Sequence, residues 1–388
     1  MNYDVAIIGA GPAGGSAALH AARLGLKTVV LEEHAVVGEP VHCGECISDL
    51  AVKKLELNVP RKAIAMAVKG VRVIFPDRTA PVIDEAGYVL EKHEFEQWLA
   101  EEVINEGAEL RLSSRVSGIE RSSGQWKIDA GNNKVNSKIL IDASGVQAVT
   151  SRILGLNQRF ESVIGIQHEM LDVETDGYLD FYIWPKLAPK GYLWMIPKNG
   201  GRANVGLVTH EKNKAKTFLE EFIKAPEFRG KKIVKTFGGL IPSSGPLEKT
   251  VGEGLMLVGD AAGFTSPMFE GGSHLGLQSG KFAAEVAAKA VQANNFSRDF
   301  LQSYEELWKA EFPPYRKIVE GRNDLYSFSD EELNFIAKQL PQKLNGMNFF
   351  KKLVVGLKIS AKRPSLIKKE LFSSFRAFGY SQARFYGW

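Results

Sequence analysis

The chain holds two cysteines, Cys43 and Cys46, in the stretch EPVHCGEC at 39–46. Thiols spaced C-x-x-C can ligate a metal, cycle as a disulfide, or line a pocket for another group. Structural zinc wants four Cys or His ligands in spaced pairs. Here His42 stands alone beside the pair, and no second C-x-x-C follows. A thioredoxin-like dithiol opens a helix in a compact βαβ fold, which this stretch does not suggest. A reversible Cys43–Cys46 disulfide, a pocket wall, and a loop with no chemical role all stay open on these residues alone.

A second chemical pattern lies at the N-terminus. YDVAIIGAGPAGGSAALHAARLGLKTVVLEE reads as strand, glycine turn, helix, strand. VAII (5–8) is the first strand, 16–25 carries the small-and-apolar spacing of a helix packed on a sheet, and 27–31 is the second strand. Gly9, Gly11 and Gly14 form G-x-G-x-x-G. The first glycine suits the tight turn, the second the approach of a pyrophosphate, and the third close packing of helix on strand. The helix N-terminus offers free N–H groups and a positive dipole to phosphate. Glu32, about 20 residues on, can accept hydrogen bonds from a ribose diol. The motif therefore predicts a dinucleotide site.

Two later stretches favour FAD over a nicotinamide. ILIDASGVQAVTSRILG (139–155) is a strand ending in Asp142, followed by Ser144-Gly145 and Ser151-Arg152. GLMLVGDAAGFTSPMFEGGSHLGLQSGKF (254–282) is a strand ending at Gly259-Asp260, a glycine-rich loop and a long helix. Asp260 can bind ribityl or ribose hydroxyls. The loop from Pro267 through Gly271 and Gly272 to Ser273, with the helix start, can aim N–H groups at a flavin N1/O2 edge.

The elements that must position these groups follow from patterning. The 388 residues are 44% apolar and 24% charged, with 38 glycines and a net charge of +4. That is ordinary for a globular enzyme and gives no global polyanion-binding signal. Residues 1–155 and 250–300 are expected to interleave into one Rossmann-type α/β FAD-binding domain. Residues 156–249, with part of 60–90, read as alternating strands broken by Gly and Pro, an antiparallel β-sheet forming a substrate wall. Residues 301–388 read as a helical, basic region. The start of the chain has no basic segment followed by a cleavable apolar run, and no run of about 18 apolar residues suggests a spanning helix. The expected location is cytoplasmic.

Together, GAGPAG, D-x-S-G-x5-S-R and GDAAGFTSP followed by GG make the chain resemble the FAD-dependent hydroxylases related to p-hydroxybenzoate hydroxylase. CGEC with upstream Pro40 narrows this. So do PKGYLWMIPK (189–198), which looks like the Y-x-W-x-F-P segment of geranylgeranyl reductases, and the spacing of Asp260, Pro267 and Gly271-Gly272. The chain is similar, over roughly residues 1–310, to the archaeal geranylgeranyl reductase or digeranylgeranylglycerophospholipid reductase family. The resemblance implies FAD contacts at Ala13, Glu32, Cys43, Gly44, Cys46, Asp260, Gly272 and Ser273, with Val116 a backbone contact on the adenine side. Lys92 stands where the family has an arginine, which keeps the charge but loses the planar fork. Ile196 replaces a phenylalanine, and Cys46 a smaller residue.

The same resemblance implies hydride transfer from reduced flavin to an isolated C=C bond of a geranylgeranyl chain, with a proton delivered to the other carbon. Cys43-Gly44-Glu45 is then expected beside the flavin. Candidate proton donors are Cys43, Glu45, His42, Tyr192 and a bound water. Aromatic residues on the substrate sheet fit an apolar tunnel for an isoprenoid chain, and Tyr182, Trp184, Tyr192, Trp194 and Phe269 are the candidates to touch it. Rival readings are a flavin monooxygenase or epoxidase, a lycopene cyclase-like isomerase, and a flavoprotein with no catalysis. Two cysteines are too few for an iron–sulfur cluster. No second G-x-G-x-x-G specifies the external donor, so NAD(P)H, ferredoxin and a deazaflavin remain equal.

The tail (349–388) is rich in Lys and Arg, with Glu370 its only acid, and carries interleaved Phe, Leu and Val. A basic amphipathic segment with aromatics reads as a peripheral contact with a membrane surface. No nucleic-acid recognition motif accompanies it.

Overall fold

The computed structural model describes residues 2–131, 133–345, 349–369, 371–386 and 388. Strand Asn2–Ile8 is buried almost throughout, because it is flanked on both sides by parallel neighbours: Thr28–Leu31 on one edge and Asn133–Asp142 on the other. Such a strand has no solvent face, hence its continuous apolar run. The sheet continues through Leu255–Leu257 beyond Asn133–Asp142 and through Glu109–Arg111 beyond Thr28–Leu31. An antiparallel pair, Val116–Ser122 and Gln125–Ala130, attaches to Asn133–Asp142.

Helix Pro12–Arg23 starts four residues earlier than its spacing predicts, with Pro12 in the first turn, where a missing N–H costs nothing. It lies on the sheet and crosses helix Ser273–Ala293 at close range. A side chain at Gly280 would put Cβ 2.3 Å from the Ala13 carbonyl oxygen, and Ser16 donates to the Leu277 carbonyl at 2.6 Å. That crossing brings the starts of both helices to one end of the sheet, the carboxyl ends of its strands.

A second sheet of seven strands runs in the order 232–242, 162–171, 202–209, 191–198, 178–182, 70–74, 82–83. It is antiparallel except where Tyr178–Tyr182 pairs in parallel with Gly70–Ile74. That pairing joins part of 60–90 to the middle of the chain. A three-stranded sheet, 46–48, 87–90 and 64–68, braces the segment that follows the cysteine loop.

One face of the large sheet packs under helix Ala215–Phe222, with Leu193, Met195, Val205, Leu207 and Phe222 buried there. The opposite face carries Tyr192, Trp194 and Ile196. The segment after helix Asp330–Ala337 closes over the 70–83 edge: Val82 donates to the Gln342 carbonyl, and the Leu344 amide returns to Val82, both at 2.8 Å. Helix Leu371–Tyr380 packs on helix Tyr315–Leu325. Among the described residues no helix is long and apolar enough to cross a membrane.

Candidate active site

At the end of the first sheet a cavity of about 300 Å3 is lined by Gly9, Gly11, Glu32, Lys92, Val116, Ser144, Arg152 and Cys43, among others. Gly9 has φ +96°, a left-handed value that favours glycine, and Gly14 lies so close to it that a Cβ would stand 1.9 Å from the Gly9 carbonyl oxygen. A Cβ on Gly11, by contrast, would meet no protein atom within 4 Å. The space in front of Gly11 is open to the cavity. The Pro12 helix has no side-chain cap, so its first-turn N–H groups face that space unsatisfied by any side chain.

Glu32 lines the same cavity from the end of its strand. Its Oε2 accepts from the Ala10 amide at 2.8 Å and its Oε1 from the His34 amide at 2.9 Å, so it both braces the glycine turn and keeps acceptor capacity. Asp142 does not reach the cavity: Ser144 and Thr150 satisfy both its oxygens, and it shapes the following loop. Lys92 is buried against Glu96. Burial disfavours its charge most strongly of any single influence, but Glu96, Cys43 and Glu45 together outweigh it and hold its proton affinity above the ordinary lysine value. Ala13 turns its methyl toward Gly259 and Gly276 and offers the site only its backbone.

A second cavity, of about 130 Å3, lies on the other side of the cysteine loop. Cys43 borders both cavities, while Gly44, Glu45 and Cys46 border only the second. Its far wall is apolar. Phe181, Tyr192 and Phe269 pack with ring centroids 5.2–5.6 Å apart, with Trp194 beyond Tyr192. Gly271, Gly272 and Ser273 close one end, where the Ser273 helix starts without a side-chain cap. Asp260 sits beneath them: a Cβ on Gly272 would lie 3.2 Å from its Oδ1, and Thr265 donates to that oxygen at 2.9 Å. Trp388 closes another side, its indole N–H donating to Glu85 at 3.1 Å.

The loop between the cavities is fixed from the large sheet. Gln167 donates to the Cys43 carbonyl at 2.7 Å and accepts from the Trp194 indole at 2.9 Å. Glu45, at φ +72°, is buried, and three donors meet its carboxylate: the Lys92 amide at 3.0 Å, Asn204 at 2.6 Å and the Lys198 ammonium at 2.7 Å. Glu45 is therefore a positioning residue. Both of its oxygens are engaged by donors, which sets it apart from the free acid that the sequence suggested. Both thiols are unlinked. The Glu45 amide donates to Cys43 Sγ, and Cys46 Sγ points to the Gly44 carbonyl. Burial pushes the Cys43 thiol up, against the pull of Lys92, and pushes Cys46 well up, helped by Cys43. His42 lies on the side of the first cavity, bonded to the Gly238 carbonyl.

Two expected substrate contacts are corrected. Tyr182 and Trp184 pack against Phe222 beneath helix Ala215–Phe222, on the far face of the sheet. The reason is strand alternation: Phe181 faces the cavity, so its neighbour Tyr182 cannot. Tyr192, Trp194 and Phe269 do line the cavity. Gln167, Asn204 and Lys198 were not singled out in the sequence, since a polar residue in a strand gives no signal of what it will reach. Glu270, which also lines the second cavity, was not singled out either, although it stands beside the glycines of a loop marked for the cofactor.

The uncapped helix starts, the open space before Gly11 and the acid at the strand end fit a flavin dinucleotide, whose reduced form supplies hydride when bound. Fold and site together define an FAD-dependent oxidoreductase. Residues 4–152 match the FAD dependent oxidoreductase family, and residues 161–241 the geranylgeranyl reductase catalytic domain. The digeranylgeranylglycerophospholipid reductase of Methanocaldococcus jannaschii is 35% identical over 94% of this chain and 97% of its own. The crystal structure of a geranylgeranyl bacteriochlorophyll reductase-like protein from Thermoplasma acidophilum superposes with a TM-score of 0.86 at 31% identity, covering 95% of this chain and 98% of that one. A flavin-dependent brominase shares the fold alone, at 20% identity, a TM-score of 0.73, and coverage of 92% and 93%. The chain belongs to the digeranylgeranylglycerophospholipid reductase family.

Proposed function

We propose that this protein reduces isolated C=C bonds in geranylgeranyl chains of archaeal-type isoprenoid lipids, with electrons brought to its FAD by an external donor. The observation that carries the reading is the Cys43–Cys46 loop. A cleft suited to a dinucleotide lies on one side of it, a cavity walled by Phe181, Tyr192, Trp194 and Phe269 lies on the other, and Cys43 borders both. A flavin ring at that border would meet an alkene with bulk water held off. Dinucleotide contacts are assigned to the Gly9–Gly14 turn, Glu32, Lys92 and Val116. The ring end is assigned to Cys43, Gly44, Cys46, Asp260 and Gly271–Ser273.

A further apolar cavity of about 80 Å3 shares Val73 and Ile83 with the aromatic one and is lined by Leu325, Leu340, Phe375 and Phe378. Space of that character suits a prenyl tail. The lipid is drawn from a bilayer, so we also assign peripheral membrane contact to helix Phe349–Lys362 and its surroundings. Val354 and Leu357 are 63% and 57% exposed there. Lys358, Lys362 and Arg363 stand exposed beside them. The side chains of Phe349, Phe350, Lys351, Lys352, Leu353, Lys368 and Lys369, and all of Glu370, lie outside the described residues.

The test is anaerobic incubation of the FAD-loaded, dithionite-reduced protein with a geranylgeranyl lipid, followed by mass spectrometry. A gain of H2 per reduced bond is expected. Unchanged lipid beside bound, reduced flavin would sink the proposal, and product carrying added oxygen in air would favour a monooxygenase.

A further inference from the structure

We propose that Glu270 is the proton donor of the reduction, its carboxyl protonating one alkene carbon while the other receives hydride. The inference rests on the alkene-reduction reading above. An isolated alkene has no carbonyl to accept charge, so hydride addition must be coupled to protonation by a positioned acid. The π bond breaks and two C–H bonds form. One takes the hydride equivalent carried by the reduced cofactor, and the other takes the Glu270 proton. The carboxylate left behind regains a proton from water between turnovers.

The choice of Glu270 follows from the groups that border the aromatic cavity. Glu45 is held by Lys198, Asn204 and the Lys92 amide. Glu85 accepts from the Ala383 amide and the Trp388 indole. Tyr192 already donates to the Phe269 carbonyl at 2.8 Å, and burial, then Glu270, push its proton affinity far above that of an ordinary phenol. The two thiols are likewise weakened as acids by burial. Glu270 differs from all of these. It lines the cavity as a half-buried side chain whose Oε2 is shut off from solvent with no donor at hydrogen-bond geometry, and its one close polar neighbour is the Tyr192 hydroxyl, which is already turned to the Phe269 carbonyl.

Its placement is also enforced. Glu270 adopts φ +47°, the left-handed region that a residue with a side chain occupies at a cost. The turn is locked by the Glu270 amide donating to the Ser266 carbonyl at 3.0 Å and the Ser266 amide donating to the Gly271 carbonyl at 2.8 Å. The next residues, Gly271 to Ser273, are those assigned to the ring end of the cofactor.

The surroundings keep the proton on. Tyr192 faces Glu270 from the sheet, with Cys46 beyond it, and Arg322 and Tyr326 face it from helix Tyr315–Leu325 and its end. Arg322 spends one guanidinium nitrogen on the Ser243 and Pro267 carbonyls and does not pair with the carboxyl. Burial dominates and lifts the Glu270 carboxyl to about 8, against smaller opposing pulls from Arg322 and Tyr192. An acid tuned near the working pH is the most effective donor.

The experiment compares wild type, Glu270→Gln and Glu270→Asp as FAD-loaded proteins, reduced anaerobically and given the geranylgeranyl lipid. Glu270→Gln is expected to lower the rate of H2 addition by about 10²–10⁴-fold with flavin content unchanged, and Glu270→Asp to recover part of it. Wild-type rate should fall as pH rises through about 8, and Glu270→Gln should lose that limb. Infrared titration of wild type should show a protonated carboxyl band that disappears over the same range. A Gln variant with wild-type rate and pH profile overturns the assignment while leaving the function standing. Wild type that leaves the lipid unchanged overturns both. If the Gln variant fails to fold, absence of the titrating band in wild type overturns the assignment, and its presence supports it.

Discussion

Glu45 and Glu270 border the same cavity, and their partners alone separate their roles. Lys198 and Glu45 are both almost fully buried, 2.7 Å apart, and Lys198 also meets Glu91 at 3.1 Å. Arg202 extends the chain from Glu91 at 2.5 Å to Glu169 at 3.1 Å. Removing one member of such a buried pair leaves a charge uncompensated, at a cost of about 3–5 kcal/mol. Lys198→Met should therefore lower the urea midpoint clearly and disturb flavin binding through the loop that Glu45 holds. An unchanged midpoint would show that the pair does not anchor this loop. Glu270 has no such cation in contact, so burial raises its proton affinity instead of ionic pairing lowering it. The sign for activity follows: the acid form is present below pH about 8 and is lost above it.

The glycine turn and its helix make the element-scale case. Gly14 and Gly11 belong to one motif but do different work. Gly14→Ala puts a Cβ against the Gly9 carbonyl oxygen, so the turn must open, and both stability and flavin content should drop. Gly11 has φ −66°, which alanine adopts freely, and its missing side chain points into open space. Gly11→Ala should change stability by no more than about 1 kcal/mol, because alanine's smaller unfolded-state entropy and its poorer fit at the helix N-cap oppose each other. It should nevertheless weaken FAD binding, read by flavin titration of the apoprotein, because the methyl would enter the open space we assign to the pyrophosphate. Equal loss of stability in both variants would show that Gly11 serves the fold and not the ligand.

At the scale of the whole molecule, four distant segments build the aromatic cavity: the cysteine loop, the large sheet, the Phe269–Ser273 turn and the C-terminal residues through Trp388. Phe378 from helix Leu371–Tyr380 packs edge-to-face on Phe269 with ring centroids 5.4 Å apart, so the tail contributes to the interior as well as to the surface. Its exposed side gives a separable prediction. Leu357→Glu removes an apolar group from a basic surface without touching the core, so the thermal midpoint should hold. Binding to vesicles containing anionic lipid should fall, and wild-type binding should weaken with salt. Wild type that ignores such vesicles would remove the membrane contact from the proposed function.

The dinucleotide half of this protein was legible in the sequence because its chemistry is local. The residues from Gly9 to Gly14 share one turn, Glu32 ends the next strand, and each spacing is dictated by backbone geometry over a short span. The alternating strands of 156–249 were legible for the same reason. Which aromatics face the second cavity was not, because Phe181 and Tyr182 differ by one residue and only the pairing of their strand decides which face meets the cysteine loop. The role of Glu45 was equally hidden, since Lys198 and Asn204 lie more than 150 residues away in the chain. Glu270 stood in plain view beside Gly271 and Gly272, but a carboxyl's proton affinity depends on what buries it and which cations it fails to meet. Those are properties of the packed molecule, and no spacing along the chain encodes them.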